Sequence, residues 1–202
     1  MATPAAAVLA CASAVVLAVG VPALASRRSG GLRKAGILGG LVLGSLLLAG
    51  IALEGPDRAF RALLPLAGFS AAAAGGSRWL AAWGAPRAAA AGLAALAGCA
   101  LLVLPFLGDP LVEPGPPGKS SPASVEALLG FSPLAASVGG GLGVDYLRAP
   151  LAYGGPRGPG LSRIGAFHPC PYPDPARSGA RFAIAGVVFL LLCGVAPVRR
   201  AA

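Results

Sequence analysis

The chain has 202 residues, 56% of them hydrophobic and 11% charged, with a formal net charge of +9, and its mean hydropathy is +0.77. That charged fraction is about half the usual value, too little polar surface to clothe a water-soluble fold of this length. Nor is the excess of positive charge a nucleic-acid face: it sits as short groups at the ends of apolar runs, Arg27-Arg28 with Arg33-Lys34, then Arg78 and Arg87, then Arg199-Arg200, where topology-setting charges belong.

Asn and Gln are absent, and the basic residues are Arg except at Lys34 and Lys119. This bias toward Gly, Ala, Pro and Arg is what GC-rich coding produces, and it makes motifs built from small residues and arginine cheap in this chain. Cys11, Cys99 and Cys193 lie inside apolar runs, where Cys packs as a small hydrophobe. Only Cys170 falls outside them, so it has no partner for a disulfide within its own segment.

In chain order, the first predicted span is 5–25. It ends in Ala23-Leu24-Ala25, which has the small-x-small form of a signal-peptidase site. No Lys or Arg precedes it, however, and the basic cluster follows it, an order that fits a retained helix with its N-terminus outside. The second span, 35–53, carries Gly36, Gly40 and Gly44 at four-residue spacing on one helical face. Removing side-chain bulk there lets another helix approach closely, and either a partner helix or another span of the same chain could be the one that does.

Glu54, Asp57, Arg58 and Arg61 then form a charge-balanced turn. The third stretch, 62–77, is short, rich in Ala and Gly, interrupted by Pro65 and followed by Arg78, Trp79 and Trp83. It is the weakest span, since Ala adds little to insertion and an Arg near the bilayer centre would cost about 2.5–3.5 kcal/mol. The two tryptophans read as interface anchors. The fourth span is 88–107, with Ala91, Ala95 and Cys99 as a further small-residue stripe, and the last runs from Phe182 to Val198 within a C-terminal segment 180–202 closed by Arg199-Arg200.

Counting charges decides whether 62–77 crosses. With the N-terminus outside, the turns holding Arg27 to Lys34 and Arg78 to Arg87 are cytoplasmic, as is Arg199-Arg200, and the segment 108–179 is outside. Every basic group then obeys the positive-inside rule. Omitting 62–77 would put Arg78, Arg87 and Arg199-Arg200 outside. The expectation is therefore an all-α, polytopic integral membrane bundle of about five transmembrane helices. Four lie in 1–107 and one at the C-terminus, in a plasma membrane of the bacterial inner-membrane type, N-terminus outside and C-terminus cytoplasmic.

The segment 108–179 is a Pro/Gly-rich extracytoplasmic loop with short interfacial helices over about 122–138. Ser121-Pro122 and Ser132-Pro133 each place a serine N-cap before a proline at the first helical position, and Gly139-Gly140-Gly141 ends the second piece. Leu128, Leu129, Phe131, Leu134 and Val138 make these pieces apolar enough to lie against the membrane or against the other spans. Beyond them, 150–175 holds too many prolines for regular structure.

Several chemistries are disfavoured. Glu113 to Ser120 has the Gly-Lys-Ser end of a phosphate loop, but Glu stands where that loop starts with Gly and two prolines remove amide donors. Gly139 to Gly143 miss the dinucleotide spacing because position 144 is Val. No ionisable residue sits centrally in the first, second, fourth or fifth span, which disfavours proton or ion relays. No cofactor or metal is expected, for His168 is the single histidine and Cys170 lies two residues away across a proline.

Asp145, Arg148 and His168 are the candidates for an enzyme site in the loop, His168 as base and Arg148 holding a phosphate or carboxylate. Asp145 and Arg148 also have the i,i+3 spacing of a plain ion pair. From Ser132 to Arg200 a Ser-Pro-led apolar pair before the last span resembles the end of ATP-dependent exporter permeases in arrangement, not in motif. The short inner turns lack the coupling helix that such permeases use to meet their ATPase. The leading reading is non-enzymatic: an accessory or packing subunit whose partners are the lipid bilayer and other membrane subunits, or copies of itself, met through small-residue faces. A membrane-impermeant maleimide is expected to label Cys170 in intact cells; labelling only after cell breakage, with the denatured thiol reactive, would reverse the orientation.

Overall fold

The computed structural model describes residues 4–27, 30–107, 128–144 and 172–195. Among them there is no strand, and five long helices form one bundle: α1 (Pro4–Ala25), α2 (Gly31–Glu54), α3 (Pro56–Ala82), α4 (Arg87–Leu107) and α5 (Pro175–Val195), with a π-helical segment at Ala135–Gly141 before α5. Four of the five, α1, α2, α4 and α5, are long and apolar enough to cross a membrane. The protein is an all-α membrane bundle.

Its surface confirms the solvent. Leu41, Leu48, Leu96, Leu191 and Val195 are each more than 65% exposed, whereas the buried stripe of α1 runs through Ala6, Ala10, Ala14, Leu17, Ala18, Val21 and Ala25. Large aliphatic side chains outside and small ones inside are the arrangement of helices packed in lipid, where association depends on close backbone approach. In water such a girdle would be an aggregation surface.

The helix with the least apolar sequence, α3, is the one the others surround. It touches α1, α2, α4, α5 and the π-helical segment. Ala59, Ala62, Leu66, Phe69 and Ala73 are buried along it. Its hydropathy is low because its neighbours are helices, not lipid. It is also longer than the 62–77 stretch suggested: 27 residues, ~40 Å at 1.5 Å per residue, enough to cross the hydrocarbon layer. Pro56 starts it at the first helical position, which needs no N–H. Gly55 alone separates it from α2, at φ 85° and ψ 165°, a conformation open essentially only to glycine. Arg78 lies one turn from the far end, so it does not occupy the bilayer centre; its Nη1 donates to the Arg27 carbonyl at 3.3 Å.

α3 and α5 run parallel and share a seam of glycines spaced seven apart on both helices. Gly68 lies against the Gly179 carbonyl. One register further, a Cβ at Gly75 would stand 2.6 Å from the Gly186 carbonyl oxygen, and one at Gly186 would stand 2.7 Å from the Ala71 carbonyl carbon. These neighbours are backbone, so no rotamer change can make room. Phe69 meets Phe182 edge to face beside the seam, ring centroids 5.9 Å apart.

α5 itself begins at Pro175, within the segment expected from sequence to be loop. Asp174 caps it, Oδ1 accepting from the Arg177 amide at 2.8 Å, the usual N-cap bond to the third helical residue.

Ser132 is an N-cap, its Oγ accepting from the Ala135 amide at 3.2 Å. Of the two placements open to this piece, membrane or spans, it takes the second: Leu129, Ala135, Ala136, Ser137 and Val138 are all fully buried. The Leu142 amide bonds to the Ser137 carbonyl at 3.1 Å, the five-residue step of a π-helix. All three glycines that follow are needed for close contact. Gly139 faces the Tyr172 ring, Gly140 the Pro173 carbonyl, and a Cβ at Gly141 would stand 2.6 Å from the Ala62 Cα. Pro65 has no N–H for the Arg61 carbonyl one turn back, and beside that gap Ser137 docks, its Oγ donating to the neighbouring Ala62 carbonyl at 2.7 Å. Residues 121–127, where the companion helix is expected, lie outside the described ones.

Gly186→Leu is expected to destabilise the bundle by about 1–3 kcal/mol through overpacking, read as a lowered thermal midpoint in detergent. Gly194→Leu, on the same helix with nothing within 4 Å of its Cβ position, should leave the midpoint unchanged.

Candidate functional site

The two ends of the bundle differ in charge. At the end where α3 and α5 begin, Glu54, Asp57 and Asp174 accompany Arg58, Arg61, Arg177 and Arg181. Arg58 pairs with Glu54 and Arg61 with Asp57, both at 3.5 Å and both i,i+4. Arg61 and Asp57 are largely exposed, so that pair contributes little to stability. At the other end stand Arg27, Arg33, Lys34, Arg78 and Arg87, with no carboxylate among the described residues.

Two hollows reach this basic end. One is an apolar cleft of about 250 Å³ between α3, α4 and α5, lined among others by Phe69, Trp79, Leu93, Ala97, Leu101 and Phe189. Leu93 on its rim is 54% exposed, so the cleft opens sideways toward lipid. Trp79 lies across from Phe189 with ring centroids 5.6 Å apart. Its Nε1–H is buried without a hydrogen-bond acceptor among the described residues, an omission that normally costs about 1–3 kcal/mol.

The second hollow is a polar recess of about 340 Å³ lined by Ser26, Arg78, Ala81, Ala82, Arg87 and Cys193. It brings together the ends of α1, α3 and α5 and the start of α4. That convergence requires α3 to run the length of the bundle. Arg87 stands seven residues before Ala94, so helical periodicity puts both on one face of α4, and Cys193 follows Phe189 by one turn of α5. The recess therefore continues the cleft toward the end of the bundle.

The glycines expected to pack helices stand elsewhere. No described residue comes within 4 Å of a Cβ built on Gly36, Gly40 or Gly44. The inward face of α2 lies one residue round, at Ala35, Gly39, Leu46 and Gly50, where Gly39 meets Ser70 and Gly50 meets Ala59. On α4, Ala91, Ala95 and Cys99 are half-buried, and the close approach is made by the neighbouring Gly98, 3.2 Å from its Cβ position to the Phe69 ring. Cys11, Cys99 and Cys193 are free thiols. Asp145, Arg148, His168 and Cys170 lie outside the described residues, and among those described no three His, Cys, Asp or Glu side chains gather as a metal set.

Sequence reasoning missed the seven-residue repeat of Gly68-Gly75 and Gly179-Gly186, although the spacing is visible once both helices are known to run in one direction. It also treated Arg78 and Arg87 as a topology signal only, without joining them to Ser26 and Cys193.

Fold and hollows together define a polytopic α-helical membrane protein. Comparison with protein-family models, with curated proteins and with solved structures gives no match.

Ser137→Ala is expected to cost about 0.5–1.5 kcal/mol, the net value of one hydrogen bond, because the Ala62 carbonyl loses its side-chain donor. Thermal unfolding in detergent checks this, with no change in secondary structure by circular dichroism.

Proposed function

We propose that this chain is a non-enzymatic subunit of a larger membrane assembly, docking through the α2 face that carries Gly36, Gly40 and Gly44. The observation behind it is the openness of those three positions. Glycines at the helix contacts within the chain, Gly39, Gly50, Gly68, Gly75, Gly179 and Gly186, each meet a close neighbour, while the α2 stripe meets none among the described residues. Gly92 and Gly194 are open too, but they are isolated and form no line. A line of small residues facing lipid admits a second helix at short range, the usual device by which membrane helices associate.

The charge asymmetry of the two ends supports an orientation with Arg27, Arg78 and Arg87 in the cytoplasm, hence an N-terminus outside a plasma membrane of the inner-membrane type. The occupant of the stripe is another membrane subunit or a second copy of the chain.

Gly40→Leu should shift the assembly to faster migration on a native gel in mild detergent, while the thermal midpoint of the purified chain stays within about 0.5 kcal/mol of wild type, as for surface substitutions. Unchanged migration removes this face from the assembly. A lowered midpoint would instead place the stripe inside the chain's own packing.

A further inference from the structure

We propose that the cleft between α3, α4 and α5 and the recess beneath it bind one anionic phospholipid, an acyl chain in the cleft and the phosphodiester between Arg78 and Arg87. This stands whether or not the α2 face docks a partner.

The cleft is apolar on every wall and open at Leu93, so in a bilayer something apolar must fill it. A neutral helix would satisfy the cleft but not the recess. Arg78 and Arg87 line the recess, and the described residues at that end supply no carboxylate to neutralise them. Arg78 spends one donor on the Arg27 carbonyl; its guanidinium carries further N–H groups for which the described residues supply no carboxylate, and a planar fork of donors matches a phosphate. Basic pockets between transmembrane helices at the membrane surface are sites for anionic headgroups.

Trp79 lines the cleft and directly follows Arg78 of the recess in the chain; amphipathic rings favour the glycerol region of a bilayer. Its Nε1–H lacks an acceptor among the described residues, and a lipid ester carbonyl is an acceptor that the glycerol region supplies. A soluble phosphate would engage the arginines alone and leave the cleft empty; the phospholipid fills both.

The test uses Trp79 as its own reporter. The chain has two tryptophans, so Trp83→Phe leaves a single fluorophore on the cleft wall. The full chain with this change is reconstituted in phosphatidylcholine vesicles, and brominated-chain phosphatidylglycerol or brominated-chain phosphatidylcholine is added at equal mole fraction. The phosphatidylglycerol should quench Trp79 with an apparent preference of about fivefold for each arginine engaged. Arg87→Gln, at an exposed position, should lower the preference by about that factor, and Arg78→Gln with Arg87→Gln should bring it to parity. Arg58→Gln at the opposite end should leave it unchanged.

Ala97→Phe, which fills the cleft, should reduce quenching by both lipids. Equal quenching by the two lipids in the Trp83→Phe protein overturns the proposal. So does a preference that survives loss of both arginines, or one that millimolar inorganic phosphate abolishes, since the last would place the affinity in the phosphate alone.

Discussion

The structure depends on the contact of α3 with α5 at backbone distance. Gly68 against Gly179 and Gly75 against Gly186 let two parallel helices approach until only glycine fits, and that approach holds α3 in the middle of the bundle. Dispersion between closely set backbones, not exclusion of water, stabilises helices in lipid. With α3 held there, α1, α2 and α4 pack around it, and the π-helical segment closes over its Pro65 region through Ser137 and Gly141.

This explains why the central helix has the least membrane-like sequence. Hydropathy measures preference for lipid, and α3 meets little of it: Phe60 is its one large hydrophobic side chain listing outward, at 57% exposure. Its Ala, Gly and Ser positions are filled by neighbours. The helices around it, α1, α2, α4 and α5, carry the Leu, Val and Ile that face the acyl chains. A search for apolar runs therefore finds the rim of this bundle readily and its core last.

What was legible in the sequence follows the same division. The four apolar runs, the serine cap at Ser132 and a helix over 62–77 all came from local signals or charge counts. The start of α5 did not, although Asp174-Pro175 is the same cap and proline device as Ser132-Pro133, because the alternating prolines before it argued for extended chain. The length of α3 was hidden by its small residues, and its end lies beyond Arg78, whose side chain reaches the Arg27 carbonyl. The glycine pairing between α3 and α5 requires knowing that two helices separated by residues 83–174 run in one direction, which no local pattern carries. The same holds for the recess, whose walls come from four separate parts of the chain.

The central claim is that α3 crosses fully and lies parallel to α5. With Cys11, Cys99 and Cys170 replaced by Ala, the native Cys193 can be paired with a cysteine introduced at Ala82 or at Asp57, and each protein treated in membranes with a short bifunctional maleimide. Because Ala82 and Cys193 line the same recess while Asp57 opens α3 at the other end, the account predicts an intramolecular link from position 82 and none from position 57. A link from position 57 with none from position 82 would contradict it.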